Sequence, residues 1–243
     1  MKYFYLIIAL CQYSCKAQDI TQNIVLVNVD SLEREGIANV ISEVNERNPR
    51  VIAIDLRFVE SKGANDLILI NALDRCKKLV MSSVINNFGN GAMIISNMSS
   101  SQFMPSHART GFVNVVQEKD EFNTVEKFLV LQKDFNGKTE YHFSVRTAMI
   151  YDSLKSMQFV TSHSAITKID FKGGRKFKVI SSKEILSTDI SDNDIKDKII
   201  IIGFLGPGIE DKFYTPLNSK RAPNEPDMYG AEYLANIVAQ VLE

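Results

Sequence analysis

The sequence KIIIIGFLGPGIEDKFYTPL runs from Lys198 to Leu217 and predicts a buried strand followed by a glycine-rich turn. Its four consecutive isoleucines, Ile199 to Ile202, have no polar alternation, which is typical of a parallel strand covered on both faces. Three glycines follow within six residues, and Asp211 and Thr215-Pro216 come after them. Because α/β sheets usually build their sites where a buried strand ends in a turn, this segment is also a candidate for function.

Upstream of this segment, apolar runs alternate with amphipathic stretches. The pattern predicts three strands, at Ile24 to Val29, Val51 to Phe58 and Leu79 to Ile85. It predicts two helices between them, from Leu32 to Val44 and from Leu67 to Cys76, the first with Asp30-Ser31 as its N-cap. Strand, helix, strand, helix, strand is the order of right-handed crossovers in a parallel sheet.

The middle of the chain has a different character, and the closing part returns to helices and strands. The composition predicts a loop at Asn86 to Ser101, a hairpin formed by Gly111 to Val116 and Val125 to Leu131, a helix at Tyr141 to Leu154, a strand at Ile166 to Phe171, a short helix at Ser181 to Ser187 and a closing helix at Tyr229 to Leu242. The predicted fold class is α/β: a single domain with a mostly parallel mixed sheet flanked by helices, plus an inserted β-hairpin.

Length, composition and charge are those of a globular protein and argue against a basic nucleic-acid-binding protein. With 243 residues, 23% charged residues and a formal net charge of -1, the chain can bury a sizeable core. No basic patch interleaved with aromatic residues occurs, so we expect no nucleic-acid partner.

The first residues have the features of a targeting segment. Lys2 precedes the apolar run Tyr3 to Leu10, and Cys15-Lys16-Ala17 provides small residues at a cleavage point. This predicts a signal peptide at residues 1–17 and a mature domain at residues 18–243, because the apolar run is far shorter than the ~20 residues that span a bilayer. A lipidated Cys15 or a short membrane anchor are the alternatives. Cys76 is then the one thiol of the mature chain, predicted to be a buried small hydrophobe.

Several short segments follow one another in an order that points to a known family. They are VLVNVD ending in Asp30, VIAIDLRF at Val51 to Phe58, GFVNV at Gly111 to Val115, IDFKG with DKIIIIG and EDKFYTPL, and Gly230-Ala231-Glu232 with Ala235-Asn236. Together they resemble the second CHASE-type domain, the cyclase/histidine-kinase-associated sensory extracellular domain of type two. The resemblance covers roughly residues 24 to 242.

The resemblance implies an extracytoplasmic sensory domain of a bacterial signal-transduction system, without catalysis of its own. It also implies an unknown small-molecule or peptide ligand, with an envelope protein as a further partner. The expected location is periplasmic or on the outer surface, with lipid anchoring, or membrane anchoring if the natural chain continues beyond Glu243, as alternatives. Leu234 stands where family members often carry a histidine.

Polar residues near the predicted strand ends and the closing helix are the candidate ligand-binding residues: Asp30, Asp55, Asp211, Thr215 and Glu232. In a parallel sheet, Asp30 and Asp211 follow carboxyl ends of strands and can face one crevice, where carboxylates bind a cation or a polar metabolite. The structural alternative is that Asp30 caps a helix, Asp55 pairs with Arg57 or Arg50, and Asp211 holds its loop.

The glycine cluster does not have the pattern of a nucleotide-binding loop. Gly203, Gly206 and Gly208 give GxxGxG rather than GxGxxG, and Pro207 removes one amide donor. We therefore expect no cofactor. His107, His142 and His163 have no metal-ligand spacing, and whether any metal binds stays open.

Three hypotheses of function follow from these observations. The first is an exported ligand-sensing or interaction domain. The second is a metal-assisted hydrolase that uses Asp30, Asp55 and Asp211. The third is a structural or assembly module of the cell envelope that docks a partner through an edge strand or the closing helix.

Overall fold

The protein is described here from a computed structural model, which covers residues 19–87, 93–96, 98–133, 137–187, 189–209, 211–220 and 222–243. The predicted signal peptide therefore lies outside the described residues. The strands are β1 Ile24–Asn28, β2 Val51–Ile54, β3 Leu79–Asn87, β4 Met93–Ser96, β5 Arg109–Phe112, β6 Val115–Gln117, β7 Val125–Leu129, β8 Leu131–Lys133, β9 Thr139–Tyr141, β10 Ile166–Lys168, β11 Lys178–Ser181, β12 Ile199–Gly203, β13 Lys212–Phe213 and β14 Met228–Tyr229. The helices are α1 Arg34–Glu46, α2 Asn65–Arg75, α3 Phe143–Tyr151, α4 Ser153–Ser162, α5 Ser182–Ser187 and α6 Gly230–Leu242.

The main sheet contains seven strands and is mostly parallel. Its order is β11-β1-β12-β2-β3, and both β4 and β5 pair with β3. All neighbours in this sheet are parallel except β4, which pairs antiparallel with the end of β3. Helices cover both faces, so the predicted α/β fold class is confirmed.

Strand β12 lies in the middle of the sheet and is buried on both faces, as its isoleucines predict. Ile199 and Ile201 belong to the core between the sheet and helices α3, α4 and α6. Ile200 and Ile202 belong to the opposite core, under α1, α2 and α5. All four side chains are fully buried. The alternation of the pleat therefore distributes one apolar run between two cores.

The predicted hairpin is present, but its first strand is divided between two sheets. β6 and β7 pair antiparallel and are extended by β10. The residues before them form β5, which is parallel to β3 in the main sheet. Asn114 lies at the division, where its side chain accepts a hydrogen bond from the Ile85 amide and donates one to the Ile85 carbonyl, both at 2.8 Å. This pair of bonds fixes the end of β5 beside β3.

Two of the local predictions are wrong. Asp30-Ser31 does not cap the first helix, because Asp30 has a left-handed backbone (φ 46°) and the helix begins at Arg34. The helix predicted at Tyr141 to Leu154 is instead two helices, since Asp152 is extended and its carboxylate accepts from the Lys155 amide at the start of α4. The predicted loop at Asn86 to Ser101 contains β4, and strand β11 was not anticipated.

The burial of Cys76 and the length of the helices can also be compared with the sequence. Cys76 is fully buried, and burial raises the pKa of its thiol to about 12, so the prediction of a buried small hydrophobe is confirmed. Within the described ranges, none of the helices has the length and apolar character needed to cross a membrane.

Candidate functional site

A pocket of about 670 Å³ opens at the carboxyl ends of β2, β5 and β12. It lies beside the first turn of α6, which follows the β13–β14 hairpin. Its polar lining residues are Asp55, Arg57, Asn114 and Asp211; the apolar and aromatic ones are Leu56, Val59, Val84, Val113, Val115, Phe204, Phe213, Tyr233 and Leu234, and Gly230 completes the list. The carboxyl edge of a parallel sheet is the usual place for a ligand in this fold class.

Asp55 enters this pocket because β2 ends immediately before it. Its amide donates to the carbonyl of Ile202 on β12 at 2.8 Å, which ties the residue to the centre of the sheet. Burial raises the pKa of Asp55 to about 7, and the negative charge of Asp211 acts in the same direction. The Arg57 guanidinium and a hydrogen bond with Ser82 act against this rise of the pKa. Asp55 is therefore a carboxyl group that changes its charge near neutral pH.

Asp211 reaches the same pocket through the short β13–β14 hairpin. This hairpin pairs Lys212 with Tyr229, and the Gly230 amide donates to the Asp211 carbonyl at 2.8 Å. Burial raises the pKa of Asp211, and Arg57 again opposes the rise. The hairpin thus places the Asp211 carboxyl group at the first turn of α6.

Gly230 allows the start of α6 to lie against the Asp211 carboxylate, which would have to move if a larger residue stood there. A Cβ atom at this position would lie 2.9 and 3.0 Å from the two carboxylate oxygens of Asp211. A Cβ atom on Gly203, at the end of β12, would lie 3.3 Å from the Cβ of Ala231 and 3.7 Å from that of Asp55. Small residues therefore let the helix start and the strand end approach each other around the two acids.

The structure brings together only two of the five sequence-predicted site residues. Asp55 and Asp211 share the pocket, whereas Asp30 is exposed and is not among its lining residues. Thr215 is fully buried, and its amide donates to Asp227 at 2.8 Å. Glu232 accepts from the Tyr229 amide at 3.1 Å and so caps α6. A ligand-binding role for these five residues stays a prediction, and three of them have a local structural role or lie elsewhere.

The hydrolase hypothesis needed Asp30, Asp55 and Asp211 in one place, and Asp30 lies outside the pocket. Across the part of the chain that the structure describes, no group of three or more His, Cys, Asp or Glu side chains is placed to hold a metal ion. The histidines have structural contacts: His107 bonds to the Cys76 carbonyl, His142 caps α3, and His163 stacks on Phe159.

The sequence did not single out the aromatic and amide residues of the pocket. Phe204, Phe213 and Tyr233 line it and are together called the aromatic wall, and the Phe213 and Tyr233 ring centroids are 5.7 Å apart. Phe204 directly follows β12, a position that could have indicated a site residue. Tyr233 had no such signal, because it falls on the buried side of an apolar helix.

Comparison with known proteins identifies a family but no individual relative. No curated protein and no solved structure gave a match. The family model described as the CHASE2 domain matches residues 7–243, which is nearly the whole chain. The chain therefore belongs to the CHASE2 domain family, a family of sensory domains of signal-transduction proteins.

Proposed function

We propose that this chain is an extracytoplasmic, non-catalytic sensory domain whose ligand site is the pocket at the carboxyl ends of β2, β5 and β12. The observation that carries the proposal is the convergence on this pocket of segments that are far apart in the sequence. VIAIDLRF supplies Asp55 and Arg57, GFVNV supplies Val113 to Val115, and EDKFYTPL supplies Asp211 and Phe213. These are the same segments that carry the resemblance to the family.

The size and lining of the pocket support a small-molecule ligand. Its volume of about 670 Å³ falls within the ~300–1,000 Å³ that is usual for such sites. Most of its lining residues are apolar or aromatic, and Asp55, Arg57, Asn114 and Asp211 are the polar ones, a combination that gives both burial and orientation of a ligand.

Helix α6 supports a sensing role because it connects the pocket with the rest of the domain. Its first residue, Gly230, lines the pocket, and the helix then packs on β1, β12, α3 and α4. Eleven of its 13 residues are buried. A ligand that displaces Asp211 would therefore act on an element that extends ~20 Å through the domain. The assembly hypothesis named an edge strand or the closing helix as the docking element. The burial of α6 leaves little of this helix for docking a partner.

Filling the pocket should abolish ligand binding without unfolding the protein. We expect at least one compound from a panel of small amines, acids and neutral alcohols to raise the melting temperature of the full chain. At about 100 times its dissociation constant a ligand adds about 2.7 kcal/mol to stability. The same compound should have no effect on Val113→Trp, in which the indole occupies the pocket. The measurement is a thermal-shift titration.

Val179→Trp is the matched control, because Val179 is 48% exposed on edge strand β11 and does not line the pocket. It should respond to the compound as the wild type does. An equal response of Val113→Trp, or no response of the wild type to any compound of the panel, would contradict the assignment of the pocket.

Export is a separate part of the proposal and has a separate test. We expect the full chain, fused at its C-terminus to alkaline phosphatase, to give an active reporter in a bacterial host, since that enzyme becomes active only outside the cytoplasm. Ile7→Arg, which breaks the apolar run Tyr3 to Leu10, should abolish reporter activity. Ile166→Arg, at an exposed position of the domain, is the control and should leave it unchanged. An inactive wild-type fusion of normal abundance would show that the domain is not exported.

A further inference from the structure

The charges of the pocket favour a cationic ligand. Among the residues that the structure describes, two acids, Asp55 and Asp211, and one base, Arg57, line the pocket, so their fully ionised side chains have a net formal charge of -1. Arg57 is exposed, whereas both acids are at least partly buried. The carboxylates therefore lie where a bound ligand is shielded from water, and Coulomb interactions are stronger there.

The first turn of α6 would otherwise be a place for an anion, because the amides of a helix N-terminus and the helix dipole attract negative charge. Here the Asp211 carboxylate lies beside the first residue of α6. The Asp211 carboxylate lies so close to Gly230 that a Cβ atom would be 2.9 Å from its nearer oxygen. An anionic ligand would have to displace Asp211 or approach it against charge repulsion.

Tyr233 contributes its ring, and not its hydroxyl, to the surface of the pocket. Tyr233 lines the pocket and is 1% exposed, yet its hydroxyl has no hydrogen-bond partner among the described residues. The hydroxyl oxygen itself is buried, so a ligand in the pocket contacts the ring of Tyr233 and not its oxygen.

A bare metal ion fits the pocket poorly. Within the described part of the chain, the two carboxylates are the only acids that line it, and the side-chain oxygen of Asn114 is already bonded to the Ile85 amide. Ca²⁺ takes about six to eight oxygen ligands. The aromatic wall gives a different preference, because aromatic faces attract organic cations and bury their apolar parts.

We propose that the pocket binds a small organic amine with an apolar body, whose ammonium group contacts Asp55 and Asp211 and whose body packs against the aromatic wall. This inference rests on the proposed function, since it names the ligand class of the same pocket.

Three probes of similar shape and different charge test the inference: phenethylamine, phenethyl alcohol and hydrocinnamate. Each is titrated into the full chain, and amide NMR shifts of residues around the pocket are followed. We expect phenethylamine to bind at least about tenfold more tightly than either of the others, a difference of ~1.4 kcal/mol. Equal or tighter binding of the alcohol or hydrocinnamate would overturn the amine class while leaving the pocket a ligand site. No shifts with any probe would overturn the amine inference, and the thermal-shift panel then decides separately whether the pocket is a ligand site.

Variants then assign the contacts. Asp211→Asn should weaken phenethylamine binding by about tenfold, as expected for loss of a charge-assisted bond. Asp55→Asn should have a similar effect and serves as the second variant if Asp211→Asn does not fold. Asp30→Asn, an exposed acid outside the pocket, is the matched control and should bind as the wild type does. Unchanged binding in both pocket-acid variants would contradict the inference.

Discussion

Replacement of Gly111 by alanine is expected to destabilise the protein by about 3 kcal/mol, because overpacking costs ~1–3 kcal/mol or more and no side chain can move aside here. Gly111 lies on β5 where α3 crosses it, and a Cβ atom would lie 2.5 Å from the Cα and 2.9 Å from the amide nitrogen of Phe143. Both atoms belong to the backbone of α3, so the helix or the strand has to shift. In a domain of this size the melting temperature should fall by about 6–12 °C.

Gly36→Ala is the matched control, because it makes the same chemical change inside helix α1. Its Cβ atom would lie 3.0 Å from Cδ2 of Leu32, which is the flexible end of a side chain. Alanine is favoured over glycine in a helix interior by up to ~1 kcal/mol, so we expect a change of no more than about that size. Denaturant unfolding measures both variants, and a Gly111→Ala protein as stable as Gly36→Ala would contradict the packing argument.

The role of Gly111 gives a physical reason for the segment GFVNV, which the sequence offered only as part of a resemblance. Its glycine allows α3 to lie on β5, and Phe112 is buried against His142 with ring centroids 5.5 Å apart. Asn114 then fixes the strand end to Ile85, and the two valines on either side of it line the pocket. One short segment therefore combines close packing, backbone pairing and pocket lining.

The buried part of the fold was predictable from the sequence because burial on both faces leaves a simple pattern. The β-branched runs of β1, β2 and β12 have no polar alternation, and all three strands lie in the middle of the sheet. Strand β11 escaped prediction because it lies at the edge, where Lys178 and Val179 are exposed and only Ile180 of its four residues is buried. Tertiary position, and not local propensity, makes this segment a strand.

The candidate site was predictable only in part, because its acids meet through contacts that no local pattern records. That Asp55 follows a strand was visible in VIAIDLRF. That Asp211 lies beside it depends on the β13–β14 hairpin, which pairs Phe213 with Met228 across a long connection. Asp30 follows a strand too, but its left-handed backbone takes it into solvent. The expectation that acids at strand ends meet in one crevice holds for Asp55, which lines the pocket, and fails for Asp30, which does not.

The raised pKa of Asp55 predicts that the stability of the protein falls as the pH rises. The folded-state pKa is about 7, above the ordinary value of 3.8, so between these values the folded state binds more protons than the unfolded state. Stability is then lost progressively from about pH 4 to about pH 7. Full burial of the charge would make the loss about 4 kcal/mol. Asp55 is only partly shielded from water, and we expect about 2 kcal/mol.

Asp55→Asn removes this titration and should therefore be more stable than the wild type at about pH 8, by about 2 kcal/mol, and nearly equal to it at about pH 4. Asp211 has a raised pKa of its own, so a smaller decrease with pH remains in the variant. Urea unfolding at the two pH values measures the effect, and Asp30→Asn, on an exposed acid, should keep the full wild-type decrease. A wild-type protein whose stability is constant across this range would contradict the raised pKa.

Because an ammonium group beside Asp55 favours its ionised form, a saturating amine should also reduce the decrease of wild-type stability with pH. In the empty protein, the negative charge of Asp211 and burial both oppose ionisation of Asp55. A bound ammonium group of the proposed ligand class would offset this opposition.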